Sequence, residues 1–301
     1  MSLIVIPCTS LRSNRLSIYN RYEGGNRRRR RDVLEVQRLA AMLTQPAGTG
    51  AEAYEAAKER EGISKKAAKR LSDAICTLVA CSRRQSLFCA TSKKYVSFRC
   101  NLVTLTLPSA QVHADKEIHN GIFTEFIRAW KRKAPDLLYV WKAETQENGN
   151  LHYHLVTNTY IHHTLLRRMW NFYCEKLGYC SRSSSSNPNS TDVHAVRSVR
   201  DTAAYCIKYM AKKEEGRRVP TIRKWYCSKA LLTPHPVIEG SDTGLQQELT
   251  YLCTSTRRIW YGEYCTVIFN PSYRRNRCPR LTAAFTEYIE LVKRKNRHLP
   301  D

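Results

Sequence analysis

Acidic residues are scarce in this chain. Only 26 Asp and Glu stand against 50 Lys and Arg among 301 residues, a formal net charge of +24. Self-repulsion of that size works against a compact state, so the imbalance points to a polyanionic partner, either nucleic acid or an anionic membrane surface. Long apolar runs are missing too. The longest, near residues 74–80, falls far short of the ~18 residues a spanning helix needs, so no membrane partner is expected. The apolar stretch at residues 3–7 is short and no basic segment precedes it, which is not the layout of a secretion signal. No Gly-x-x-x-x-Gly-Lys-Ser/Thr occurs, so nothing predicts an NTPase and any strand unwinding falls to a partner. Cysteine is plentiful at twelve, yet no Cys-x-x-Cys pair occurs. That excludes a zinc ribbon or a thioredoxin-like site, and the cysteines read as reduced thiols of a cytosol or nucleus.

Periodicity divides the chain into three parts. Residues 1–90 read as a basic, mostly helical extension, with helices expected near 33–43, 51–60 and 64–81. Five consecutive arginines at 27–31 fit a solvated arm, a clamp on DNA phosphates or a nuclear-localisation signal. Residues 91–232 carry an alternation of types. A strand over 102–107 ends at Pro108, and an amphipathic helix follows over 115–133. Strands at 137–146 and 151–160 flank the turn signal Asn148-Gly149-Asn150. Next come a helix over 163–177, a serine-rich loop at 181–190, a strand at 192–196 and a helix over 199–213. The order is βαββαβ and then a helix, an α+β class with a ferredoxin-like antiparallel sheet. Residues 233–301 read as two strands within 249–269 and a final helix over 281–295, packed on the same domain or separate from it.

The stretch Glu144-Thr-Gln-Glu-Asn-Gly-Asn-Leu-His-Tyr-His154 carries the chemistry. Strand alternation places His152 and His154 on one face, where two neutral imidazoles can hold a divalent cation. Glu144 and Gln146 share the corresponding parity on the partner strand, and either can supply an oxygen, Gln146 if the turn shifts by two residues. Mixed nitrogen and oxygen ligands suit Mn²⁺ or Mg²⁺, with the imidazoles favouring Mn²⁺. About fifty residues on, Tyr205 and Tyr209 stand at i and i+4 and project from one helix face, with Lys208 and Lys212 three residues after each. Cys206 between them reads as packing against the sheet. Thr104 and Thr106 read as strand filler. Trp225 reads as core or as a stacking surface for an exposed base.

The pattern Glu-x-Gln-x-x-Gly-x-x-His-Tyr-His followed by Tyr-x-x-Lys-Tyr-x-x-Lys resembles the HUH endonucleases, closest to rolling-circle replication initiators of phages, single-stranded DNA viruses and plasmids. Leu102-Val-Thr-Leu-Thr-Leu-Pro108, His152-Tyr-His154 and Tyr205 to Lys212 occur in that family's motif order. The Trp225 segment is similar to one that often follows. The resemblance covers about residues 95–215 and implies an RRM-like HUH endonuclease domain. It also implies a site-specific nuclease and strand transferase with a tyrosine nucleophile. One tyrosine would attack a phosphodiester of single-stranded origin DNA, leaving a 5′-phosphotyrosine and a 3′-hydroxyl that primes synthesis. Lys212 and Lys213 behind Tyr209 favour it slightly over Tyr205, though single-tyrosine relatives leave either open. Lys208 and Lys212 would steady developing negative charge. The implied partners are origin DNA and a host or viral helicase and polymerase, in a bacterial cytoplasm or, for a eukaryotic host, the nucleus. A single-strand transposase or a conjugative relaxase fits less well on length and tyrosine position. A non-catalytic packaging protein with a basic arm suits the charge but needs no grouping of His, acid and Tyr.

Overall fold

The structure, a computed structural model, describes residues 4–13, 15–23, 64–89, 93–181, 187–197, 202–211, 217–256, 258–262, 265–269, 271, 273 and 275–298. In chain order these form β1 (Ile4–Leu11), β2 (Arg15–Glu23), α1 (Lys65–Cys81), β3 (Gln85–Cys89) and β4 (Lys94–Thr106). Then follow α2 (Asp115–Ile118), a π-helical segment (His119–Thr124), α3 (Glu125–Lys133), β5 (Tyr139–Thr145), β6 (Leu151–Thr157) and α4 (His163–Lys176). The remainder is β7 (Thr191–Arg197), α5 (Thr202–Ala211), β8 (Trp225–Cys227), β9 (Val237–Glu239), α6 (Thr243–Ser255), β10 (Ile259–Tyr261), β11 (Cys265–Phe269) and α7 (Pro279–His298). The class is α+β, with antiparallel sheets and helices in two units.

Residues 61–233 and 290–301 make one unit. Its sheet runs β3-β4-β6-β5-β8, and β7 pairs with β4 beside β3. Strands β7, β4, β6 and β5 are therefore neighbours in that order, all antiparallel. Alternation sends Val103, Leu105, Tyr153, Leu155, Trp141 and Ala143 to one face, where they form a core with Ile122, Phe126 and Trp130 and with Leu166 and Trp170 of α4. Each apolar side chain withdrawn there contributes roughly 1.5–3 kcal/mol, which makes this face the anchor of the unit. The helix expected over 115–133 is broken by the π-helical segment, within which Phe123 stacks on Tyr153 at 4.0 Å. Asp115, buried at the start of α2, accepts both Arg218 guanidinium nitrogens at 2.7 Å and the Thr221 amide at 2.9 Å. That ties the 217–221 segment to the sheet's end.

Residues 1–60 and 234–289 make the other unit, with sheet order β10-β11-β2-β1-β9. Its core gathers Leu11, Leu16, Leu245, Leu252, Ile268 and Leu281. The buried Glu248 carboxylate accepts the Arg280 and Leu281 amides at 3.0 Å each, capping the first turn of α7, where the orphan N–H groups need acceptors.

Three expectations differ from this fold. Residues 1–90 open with two paired strands rather than helices, because β1 finds β9 and β2 finds β11 from the far end of the chain. The arginine run at 27–31 and the helices expected at 33–43 and 51–60 lie outside the described residues. The two strands expected within 249–269 begin only at Ile259. Before them the chain is helical, because Asp242 caps Leu245 at 3.0 Å and Leu245, Leu249 and Leu252 recur at helical spacing onto the core. The division also differs from 1–90, 91–232 and 233–301, since α1 and β3 belong with the sheet that carries both imidazoles and the first strands belong with β9 to β11. Eleven cysteines among the described residues are free thiols, and among those residues no helix is long and apolar enough to cross a membrane.

Candidate metal centre

Two cross-strand rows build the site. Thr104 pairs with His154, which pairs with Lys142; Thr106 pairs with His152, which pairs with Glu144. Directly opposed residues share a face, so all six side chains lie opposite the Trp130 core. The hairpin that holds this register closes through Gln146, whose carbonyl accepts the Gly149 amide at 2.9 Å. Gly149 adopts φ +82°, a conformation open to glycine at little cost.

The three expected ligands Glu144, His152 and His154 come together. Their donor atoms lie within 4.8 Å of one another. Glu144 Oε1 is 2.6 Å from His154 Nε2, and the two Nε2 atoms are 3.0 Å apart. Both imidazoles are half-buried, and Glu144 is only 9% exposed. Burial first, and then the neighbouring His154, push the His152 pKa down to about 4, so its ring is neutral and ready to donate a lone pair at neutral pH. Burial alone would raise the Glu144 pKa, but hydrogen bonds from His154 and Lys142 outweigh it and hold the carboxyl at about 2.

The second ring nitrogens are held as well. His154 Nδ1 lies 3.2 Å from Thr104 Oγ1, and His152 Nδ1 lies 3.2 Å from Thr106 Oγ1. A hydroxyl that accepts Nδ1–H leaves the Nε2 lone pair directed at the centre. Lys142 Nζ sits 2.5 Å from Glu144 Oε2 and so leaves Oε1 turned toward the imidazoles. Two neutral nitrogens and one carboxylate oxygen, oriented by an outer layer of hydroxyls and an ammonium, fit a divalent cation. The threonines are therefore more than strand filler. Thr104, Thr106 and Lys142 were missed as site residues because only the pairing register shows which side chains face the histidines. Their shared i, i+2 parity was the available signal.

Gln146 lies beyond the last ladder pair. It lines a cavity of about 390 Å³ together with Glu144, Glu147, Asn148, His152 and Arg217. The Arg217 guanidinium donates to Thr145 O at 3.3 Å and Glu147 Oε1 at 3.2 Å, a cation at the rim that the sequence reading did not single out.

Helices α1 and α5 touch each other and lie against β4, β5 and β8. Neither contributes to the Trp130 core, so the tyrosine-bearing helix shares the imidazoles' side of the sheet. Cys206 and Met210 are fully buried there, whereas Tyr205 is 44% exposed and Lys208 is exposed. The Tyr209 side chain and Lys212 lie outside the described residues. The histidines assigned no site have other neighbours: His113 meets the Tyr179 hydroxyl at 3.0 Å, His119 the Tyr153 hydroxyl at 3.2 Å and His194 the Asp192 carboxylate at 2.5 Å.

Residues 100–214 match the model of a family described as replication-associated protein of the ORF2 type. The match runs from β4 through α5 and so contains Thr104, Thr106, Glu144, both imidazoles and both tyrosines. It supports a replication-associated protein. No curated protein and no solved structure matches the chain.

Proposed function

We propose that the chain is an HUH-type replication initiator that nicks and rejoins single-stranded origin DNA through a 5′-phosphotyrosine, starting rolling-circle replication. The observation that carries this reading is the convergence of Glu144, His152 and His154 on the side of the sheet where α5 lies. The antiparallel order β7-β4-β6-β5, with helices between β4 and β5 and between β6 and β7, supports a ferredoxin-like domain.

A tyrosine hydroxyl has an ordinary pKa of ~10 and needs an electron-poor phosphorus to attack at neutral pH. Mn²⁺ or Mg²⁺, held by His152, His154 and Glu144 with Gln146 beside them, would supply that polarisation by drawing charge from a non-bridging oxygen. The phenol oxygen of Tyr209 or Tyr205 then forms the new bond to phosphorus. The P–O3′ bond breaks, and the phenol proton is balanced by protonation of the departing 3′ oxygen. The product keeps one phosphoester for another, so rejoining needs no nucleotide triphosphate, and the second tyrosine can cut a regenerated origin. Lys208 and Lys212 provide positive charge near the transferring phosphate. Origin DNA is the substrate, with a helicase and polymerase of the host or virus as partners, in a bacterial cytoplasm or a eukaryotic nucleus.

End-labelled single strands incubated with the protein and Mn²⁺ test the reading. Nicking predicts fragments with a free 3′-hydroxyl, suppressed by chelator and by His152→Ala with His154→Ala. Retarded DNA that stays uncut under all conditions would instead indicate a packaging role.

A further inference from the structure

Beside the metal centre, the same side of the sheet carries a second cavity of about 610 Å³. Lys66 and Arg70 of α1 line it, together with Arg223, Lys224, Trp225 and Tyr226 at the sheet's outer strand. Lys66 and Arg70 stand at i and i+4, so they project from one helix face. Both are exposed, as is Arg223, whose guanidinium lies 4.6 Å above the Tyr226 ring. Trp225 and Tyr226 are half-buried, so their rings are braced while part of each stays accessible. No carboxylate lines the cavity among the described residues.

Its placement follows from register. Trp225 is opposite Lys142, and Lys142 is opposite His154. The indole therefore occupies the row of the site imidazole, two strand spacings or about 10 Å away. Cations without acids select a phosphate backbone, and a braced ring among them selects a base that is not paired and stacked in a duplex.

We propose that this groove binds the single strand flanking the scissile phosphate, with backbone phosphates on Lys66, Arg70 and Arg223 and an unpaired base on the Trp225 indole. The groove sits outside the metal centre and the tyrosine helix, and it takes from the proposed function only that the substrate is a single strand.

The test is fluorescence anisotropy of a labelled oligothymidylate with the full chain in EDTA, across a range of salt. Lys66→Gln, Arg70→Gln and Arg223→Gln combined should lower the magnitude of the log–log salt slope by about 2, at ~0.7 per phosphate contact. Trp225→Ala should weaken binding about 5- to 150-fold, and Trp225→Phe should restore most of it. The triple variant changes exposed side chains only, so it keeps the proposal falsifiable if Trp225→Ala misfolds. An unchanged affinity and slope in the triple variant overturn the proposal, as does equal binding of a hairpin duplex with the same Trp225 dependence. Because the readout involves neither metal nor cleavage, failure here leaves nicking untouched, and absence of nicking leaves this groove untouched.

Discussion

The Thr104 hydroxyl lies 3.2 Å from His154 Nδ1, and one row along the sheet Thr106 stands in the same relation to His152. Removing an outer partner of this kind typically lowers metal affinity 10- to 100-fold. Thr104→Val with Thr106→Val should therefore weaken Mn²⁺ binding by about that factor in isothermal titration calorimetry, with the circular dichroism unchanged. Wild-type affinity in the double variant would show that the hydroxyls do not set the imidazole orientation.

The buried Asp115 and Arg218 form a bidentate pair. Taking away one partner of a buried pair costs about 3–5 kcal/mol, near the upper end for Arg218→Ala because Asp115 is the more deeply buried partner, even though Thr221 and Gln111 still donate to it. Urea unfolding of Asp115→Ala, Arg218→Ala and the double variant should give a coupling above ~1 kcal/mol. Additive losses would mean that the two groups act independently.

Acid should weaken the fold with a direction set by these groups. Burial would raise the Asp115 pKa, but the hydrogen bonds from Arg218, Thr221 and Gln111 prevail and hold it well below the usual carboxylate range. Its contribution is thus present above the unfolded value of ~3.9 and fades as pH falls below it. His152 is depressed to about 4 from an unfolded value of ~6.5. The unfolded chain therefore takes up that proton first, and stability declines as pH drops from about 6.5 toward 4. His152→Gln should flatten the upper limb and Asp115→Asn the lower one in chemical denaturation against pH; an unaltered profile in either would contradict the assignment.

Gly149 holds φ +82°, and nothing lies within 4 Å of where a Cβ would sit. Gly149→Ala should cost about 1–2 kcal/mol from backbone conformation alone, without a clash. A loss well beyond that in thermal or urea unfolding would show that the hairpin needs the space as well as the dihedral.

Local chemistry made the hairpin legible. Asn148-Gly149 marked the turn, and period-two alternation separated His152 and His154 from Tyr153. What the row of threonines and Lys142 does depends on which residue of β4 and β5 stands opposite each histidine, and that register arises from packing across some fifty residues. The strands β1 and β2 were opaque for the same reason, since Cys8 pairs with Glu239 and Tyr19 with Cys265. At α6, the β-prone Leu249-Thr-Tyr-Leu run outweighed a cap at Asp242 that was readable in the sequence.

The nucleophile itself can be read directly. Lys208 separates Tyr205 from Tyr209, so trypsin places them in different peptides after reaction with a single-stranded substrate and Mn²⁺. Mass spectrometry should find a nucleotide-bearing phosphotyrosine in one of those two peptides, lost in Tyr205→Phe with Tyr209→Phe. DNA bound and metal bound with no adduct on either tyrosine would contradict the account at its centre.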